Sequence, residues 1–211
     1  MMIETGKPSK KNHLTPDRMT GVILAGGKSS RYGTNKAFAE MKGMRLIDRV
    51  VQVLASVFPR LILVTNTPKE YAYLQIPMFE DLIKGLGPIG GIYTGLNGMS
   101  DPAGFFVACD MPFINPDLVR HMIRIVNDYD AVVPRVGWKI EPLNALYCKS
   151  CLPFIKTAIE AEEYQVIKCY DRIRVRYVEE EEIRGYDPQL KTFFNVNRPE
   201  ELLNAVKMED H

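Results

Sequence analysis

Between residues 24 and 36 the chain reads LAGGKSSRYGTNK, directly after the apolar run Gly21-Val22-Ile23. Gly26 and Gly27 leave that run without side chains, so successive backbone N–H groups can turn together toward an anion. Lys28, Arg31 and Lys36 add positive charge over the same stretch. The pattern is neither standard phosphate loop. G-x-x-x-x-G-K-[ST] fails because Thr34-Asn35 separate Gly33 from the lysine, and G-x-G-x-x-G fails at Lys28. An ordinary glycine turn with surface basic residues is the alternative, but three cations this close to the end of an apolar run favour an anion site.

Two carboxylates stand at comparable places. Asp110 follows the apolar run 104–109. A carboxylate at the carboxyl end of a buried strand can hold Mg²⁺, which takes one or two protein carboxylates and fills its shell with phosphate and water oxygens. A turn or capping role is the competing explanation, weakened because Asn115, ahead of Pro116-Asp117, is the better helix cap. Asp81 opens a stretch in which Gly85, Gly87, Gly90 and Gly91 fall within seven residues. Such density costs folding entropy and reads as backbone that passes close to a ligand or must move, with a flexible surface loop as the alternative. Asp81 could accept hydrogen bonds from a base or a sugar, and Asn66, just past the apolar run 61–65, is a weaker candidate of the same kind.

Other chemistries lack the residues. The three histidines, His13, His121 and His211, lie in an N-terminal polar stretch, inside a helical pattern and at the last position, so neither a Ser-His-Asp triad nor a histidine metal cluster assembles. Cys148-Lys-Ser-Cys151 has CxxC spacing without a second pair or a nearby histidine, and reads as incidental thiols at a strand-to-helix junction. A net charge of +1 argues against nucleic acid and against an acidic membrane surface. No apolar stretch approaches the roughly 18 to 20 residues of a membrane span, and the start MMIETGKPSKKNHLTPDR lacks the apolar centre of a signal peptide, so a cytoplasmic chain is expected. Residues 1–18 read as a disordered polar tail, and residues 19–211 as a single domain.

The elements that must position these groups follow from periodicity. Apolar runs with β-branched residues predict strands at 21–24, 61–65, 76–79, 104–109, 131–134 and 143–148. In 45–58 a broad apolar stripe recurs at helical spacing until Pro59, and a second helix is expected over 118–126 behind Asn115. This alternation predicts a three-layer α/β/α, Rossmann-like fold around a mostly parallel sheet, whose ligands sit beyond the strand carboxyl ends. The last third is less regular. Residues 172–178 alternate as a half-exposed strand does, so the sheet is expected to be mixed, and 179–182 read as a solvated charge run. Arg172, Arg174 and Arg176 suit an exposed strand face better than a dock for an acidic partner.

These residues also resemble a family. GVILAGGKSSRYGTNKA is similar to the signature of nucleotidyltransferases with the glycosyltransferase-A-like fold. Together with FEDLIKGLGPIGGI, FFVACDMPFINPDLV and FFNVNRPEEL it resembles the MobA family of molybdenum cofactor guanylyltransferases, from about Gly21 to Val206. The resemblance implies transfer of GMP from GTP to the phosphate of molybdenum-bound molybdopterin, with release of pyrophosphate. It implies that Leu24, Ala25, Gly26 and Gly27 line the GTP site, that Lys36 contacts the phosphates, and that Asn66 and Asp81 hold the nucleotide. Asp110 would bind GTP and Mg²⁺, with Asn197 a helper at the metal or the second substrate, and Lys36, Asp110 and Arg31 would carry the catalysis. Related cytidylyltransferases tend to read LAAG where this chain has LAGG, so Gly26 favours guanine. A CTP-dependent enzyme, a sugar-phosphate nucleotidyltransferase and a non-catalytic cofactor carrier are the alternatives. Molybdoenzymes or other cofactor-biosynthesis proteins would be its partners, and the protein itself a monomer or weak oligomer. One departure is Asn144, where relatives often carry histidine.

Overall fold

The computed structural model describes residues 14–26 and 35–209. Its strands are β1 (Met19–Leu24), β2 (Glu40–Met41), β3 (Met44–Arg45), β4 (Arg60–Val64), β5 (Met78–Phe79), β6 (Ala103–Ala108), β7 (Ala131–Val136), β8 (Lys139–Ile140), β9 (Asn144–Cys148) and β10 (Val175–Glu179). Its α-helices are α1 (Leu46–Ala55), α2 (Pro68–Tyr71), α3 (Pro88–Gly98), α4 (Pro116–Ile125), α5 (Leu152–Glu160), α6 (Glu180–Arg184) and α7 (Pro199–Glu209).

The main sheet runs β10-β7-β9-β6-β1-β4-β5, with β8 paired to β7. β1 lies parallel to both β4 and β6, and β10 is parallel to β7, while β9 runs antiparallel to β6 and β7. The expected mixed, mostly parallel sheet is therefore present. Alternation along β1 splits the core. Ile23 faces Ile47, Val50 and Leu54 of α1, with Leu118 and Met122 of α4 in the same layer. Val22 and Leu24 face Ile89, Ile92 and Leu96 of α3, joined by Ile155 of α5. Both faces of the sheet are covered, which is why its strands read as continuous apolar runs rather than alternating ones.

Close approach of α3 to the sheet depends on a glycine the sequence pattern did not single out. A Cβ on Gly95 would lie 2.6 Å from Phe106 Cε1 and 2.7 Å from Val22 Cγ1. The α4 start is as expected: Asn115 Oδ1 accepts from the backbone N–H of Asp117 and of Leu118, both at 2.9 Å.

Several sequence expectations need correction. The third strand is only Met78–Phe79, with Pro77 adding just its carbonyl, which accepts from Leu63 N–H at 2.9 Å. The charge run at 179–182 is the end of β10 and the first turn of α6, where acids suit the positive end of the helix. There Glu182 is half-buried and receives Arg176 at 2.9 Å and His121 Nε2 at 2.5 Å. The strand expected from residue 172 begins only at Val175, after a 3-10 turn that ends at Arg172; Arg172 and Arg174 are exposed, as expected, and pair with Glu163 and Asp130, while Arg176 in β10 pairs with Glu182. No described helix is long and apolar enough to cross a membrane.

Candidate active site

At the carboxyl ends of β1, β4 and β6 lies a cleft of about 1390 Å³. Its position follows from register: Leu24 pairs with Val64 on one side and Ala108 on the other, so the chain leaves all three strands at one edge. Beyond that edge Ala25 N–H donates to Val64 O at 2.9 Å and Cys109 N–H to Leu24 O at 3.1 Å, holding the loop stems together. Leu24, Ala25, Gly26, Lys36, Asn66, Asp81, Asp110 and Asn197 all line the cleft, although they come from six separate stretches of the chain. Gly27, Lys28 and Arg31 lie outside the described residues.

Lys36 and Asp110 form the centre. The lysine ammonium donates to Asp110 Oδ2 and to Asn197 Oδ1, the latter at 3.0 Å. Asp110 is 5% exposed, and a carboxylate so buried requires a cation or several donors. Its own carbonyl accepts from Val196 N–H at 2.9 Å, which brings the Asn195-Val196-Asn197 segment to the end of β6. Val196 is anchored in a small apolar cluster with Met41, Leu46 and Ala205. Glu201 of α7 reaches back to accept from Asn197 N–H at 2.5 Å and Arg198 N–H at 3.0 Å, a capping arrangement that fixes Asn197.

A second polar pair sits on the β4 side. Asn66 Nδ2 donates to Asp81 Oδ2 at 2.6 Å, and Asp81 N–H donates to Asn66 Oδ1 at 3.2 Å. Gly26 faces this pair: a Cβ built on it would lie 3.9 Å from Asp81 Oδ2. The glycine-rich stretch divides into two functions. Gly85 and Gly87 have φ of +87° and +66° with open space around them, so backbone conformation demands glycine there. Gly91 belongs to α3, where a Cβ would press on Leu24 at 3.3 Å, so its role is helix-to-sheet packing. Gly90 is likewise a helix residue, crowded by Leu86 at 3.0 Å.

Sequence reasoning missed Asn35, Glu70 and Asn195, which also line the cleft. Asn35 Oδ1 accepts from Ala37 N–H at 3.2 Å, while its Nδ2 donates to Glu70 Oε2 at 2.7 Å and to the Tyr71 hydroxyl at 2.9 Å. Asn35 thereby ties the turn carrying Lys36 to α2. The signal was its place directly before the lysine, as a cap residue opening the short 3-10 turn Lys36–Phe38.

Other candidates stay outside the chemistry. His121 stacks on Tyr186 at 4.9 Å between ring centroids, and its partner is Glu182. Cys148 and Cys151 donate to the backbone carbonyls of Tyr129 and Asp130, at 3.6 and 3.1 Å. Burial pushes the Cys148 thiol up to about 11, so it remains protonated. The thiol of Cys109, beside Asp110, is pushed up to about 12 by burial and then by the neighbouring carboxylate, which makes it a poor nucleophile. Asn144 is buried and gives its amide to Thr192 O at 3.1 Å, tying β9 to the segment before Asn195 rather than facing a ligand.

The charge balance decides what the cleft can accept. Among the described lining residues, Glu70, Asp81 and Asp110 stand against the single ammonium of Lys36. A polyanion entering here needs a further cation. The two oxygens on which Lys36 rests already hold one positive charge, and an aspartate with an amide oxygen is a donor set that suits a hard divalent cation. Among the described residues no cluster of three or more His, Cys, Asp or Glu side chains could hold a metal, so such an ion would draw its remaining ligands from substrate and water.

Residues 21–175 match the family model described as the MobA-like NTP transferase domain. The chain belongs to this family. A relative from Desulfosudis oleivorans named molybdenum cofactor guanylyltransferase is 37% identical over 191 residues, covering 90% of this chain and 95% of that protein. One from Pelotomaculum thermopropionicum, named probable molybdenum cofactor guanylyltransferase, is 41% identical over 192 residues, covering 91% and 94%. Among solved structures, the molybdopterin-guanine dinucleotide biosynthesis protein A of Archaeoglobus fulgidus superposes with a TM-score of 0.79 at 28% identity, covering 91% of this chain and 99% of that one. The MobA-like NTP transferase fold thus accounts for the sheet order and for the cleft at the strand carboxyl ends. This chain is a nucleotidyltransferase.

Proposed function

We propose that the protein transfers GMP from GTP to the terminal phosphate of molybdenum-bound molybdopterin, releasing pyrophosphate and forming the guanine dinucleotide cofactor. The observation that carries this reading is the Lys36–Asp110–Asn197 cluster in a cleft of the MobA-like NTP transferase fold. The names of the relatives supply the substrates.

The reaction joins an acceptor phosphate oxygen to the α-phosphorus of GTP and breaks the bond to the β-phosphate bridging oxygen, whose electron pair leaves with pyrophosphate. The nucleophile is anionic at neutral pH, so no general base is needed; the obstacle is repulsion between two anions. Lys36 offsets it directly, and Arg31 is assigned the same task. Asn66 and Asp81 are assigned to the nucleoside, with Leu24, Ala25, Gly26 and Gly27 lining its approach. Asp81 is assigned to accept from the N–H groups of guanine, and the missing side chain of Gly26 leaves room beside it. Asp110 and Asn197 would hold Mg²⁺, which supplies charge neutralisation and Lewis acidity at the phosphates. The cleft volume exceeds the roughly 300 to 1,000 Å³ usual for one small ligand, in keeping with two substrates side by side.

The test is to incubate the protein with GTP, Mg²⁺ and molybdopterin generated in place, and to identify the guanine dinucleotide by mass. Pyrophosphate release compared across the four nucleoside triphosphates separates guanylyl from cytidylyl transfer. Tight pterin binding without metal-dependent pyrophosphate release would instead identify a cofactor carrier.

A further inference from the structure

The cation that rests on Asp110 and Asn197 in this structure is the protein's own. Lys36 Nζ donates to Asp110 Oδ2 and to Asn197 Oδ1, the same two oxygens assigned above to the divalent cation, and the inference rests on that assignment. The main chain of both acceptor residues is held by groups other than the lysine. Asp110 is buried and bonded through its carbonyl to Val196, and Asn197 is bonded through its N–H to Glu201. The lysine is the movable member. Its charge rides on a flexible four-carbon stem, and its side chain is 28% exposed toward the cleft.

A divalent ion held by these two side chains would lie a few ångströms from the ammonium, and like charges that close repel strongly at a partly buried site. Free metal must therefore bind against that repulsion or displace Lys36 from the buried carboxylate of Asp110. A triphosphate changes that balance, because its oxygens offer the ammonium a denser negative charge and at the same time complete the metal's shell. We infer that Lys36 is a tethered counter-ion that bars free divalent cations from Asp110 and Asn197, so that the site selects the metal–nucleotide complex over the metal alone. The lysine then has two successive positions, on the carboxylate before substrate and on phosphate after it.

Mn²⁺ binding to the full chain without nucleotide, read by water-proton relaxation enhancement, tests this. Lys36→Met keeps the stem and removes the charge, and is expected to bind Mn²⁺ roughly tenfold or more tightly than the wild type. Lys36→Arg should stay as weak as the wild type, and Asp110→Asn added to Lys36→Met should abolish the gain. Wild-type affinity equal to that of Lys36→Met would overturn the guarding role while leaving the metal site standing. An equal gain in Lys36→Arg would overturn it too, by assigning the effect to packing rather than charge. If neither wild type nor Lys36→Met bound Mn²⁺, even with the α,β-methylene analogue of GTP present, the metal assignment itself would fail and take this inference with it.

Discussion

Lys36 and Asp110 stand 74 positions apart in the chain, yet the ammonium of one donates directly to the carboxylate of the other at the floor of the cleft. The contact exists because β1 and β6 are adjacent parallel strands in register, Leu24 beside Ala108, so the segments that follow them emerge at one edge. Parallel pairing thus converts a sequence separation of a third of the chain into a hydrogen bond.

Lys36→Ala and Asp110→Ala should each lower kcat by about 10²-fold or more, the scale of a lost electrostatic stabiliser at a reacting phosphate. Steady-state pyrophosphate release with GTP and molybdopterin measures this. Near-normal turnover in either variant would remove that residue from the chemistry.

Asp81→Ala should act on nucleotide binding rather than on the chemical step. Losing the charged acceptor is expected to raise the KM for GTP roughly tenfold or more, with kcat changed by a few-fold at most. Calorimetric titration with GTP checks the binding half directly. An equal fall in kcat would move Asp81 into the reacting centre.

Gly95→Ala should destabilise the fold by about 1–3 kcal/mol, because a methyl group meets Phe106 and Val22 at well below contact distance. Urea unfolding followed by circular dichroism gives the number. An unchanged midpoint would mean that α3 can lift from the sheet without loss, contrary to the buried packing of Ile89, Ile92 and Leu96.

Acid should weaken the fold through Asp101 and Asp130. Burial alone would raise both carboxyls, but hydrogen bonds outweigh it, from Arg60 and Thr20 to Asp101 and from Ser150 and Arg174 to Asp130, holding both below the ordinary range. A depressed folded value gives full stabilisation above the unfolded value of roughly 4, lost as pH falls through the folded one. The urea midpoint should therefore drop steeply below about pH 4. Asp101→Asn should lower the midpoint at neutral pH and flatten that fall; a variant with the wild-type pH profile would exclude Asp101 as a source.

Much of the fold was legible because buried parallel strands and amphipathic helices leave strong local patterns. The α1 stripe and the Asn115 cap are local facts, and both stand, with α1 ending at Ala55 rather than Phe58. The glycines were harder. Gly85 and Gly87 serve backbone conformation, whereas Gly91 and Gly95 serve packing, and no local spacing separates these causes. Asn35 escaped notice for a related reason: its partners Glu70 and Tyr71 lie 35 and 36 positions further along the chain and reach it only through the fold.

The sequence by itself determined the buried strands of the main sheet, their alternation with helices, and the residue types able to hold phosphate and metal, since these depend on side-chain chemistry and near neighbours. The tertiary structure decided which of those residues meet. It joined Asn66 to Asp81, paired the alternating arginines with acids of their own chain, and set Lys36 on both Asp110 and Asn197. Such pairings are fixed by strand register and by the packing of α3 and α7, terms that sum over the whole chain and leave no mark on any short stretch of it.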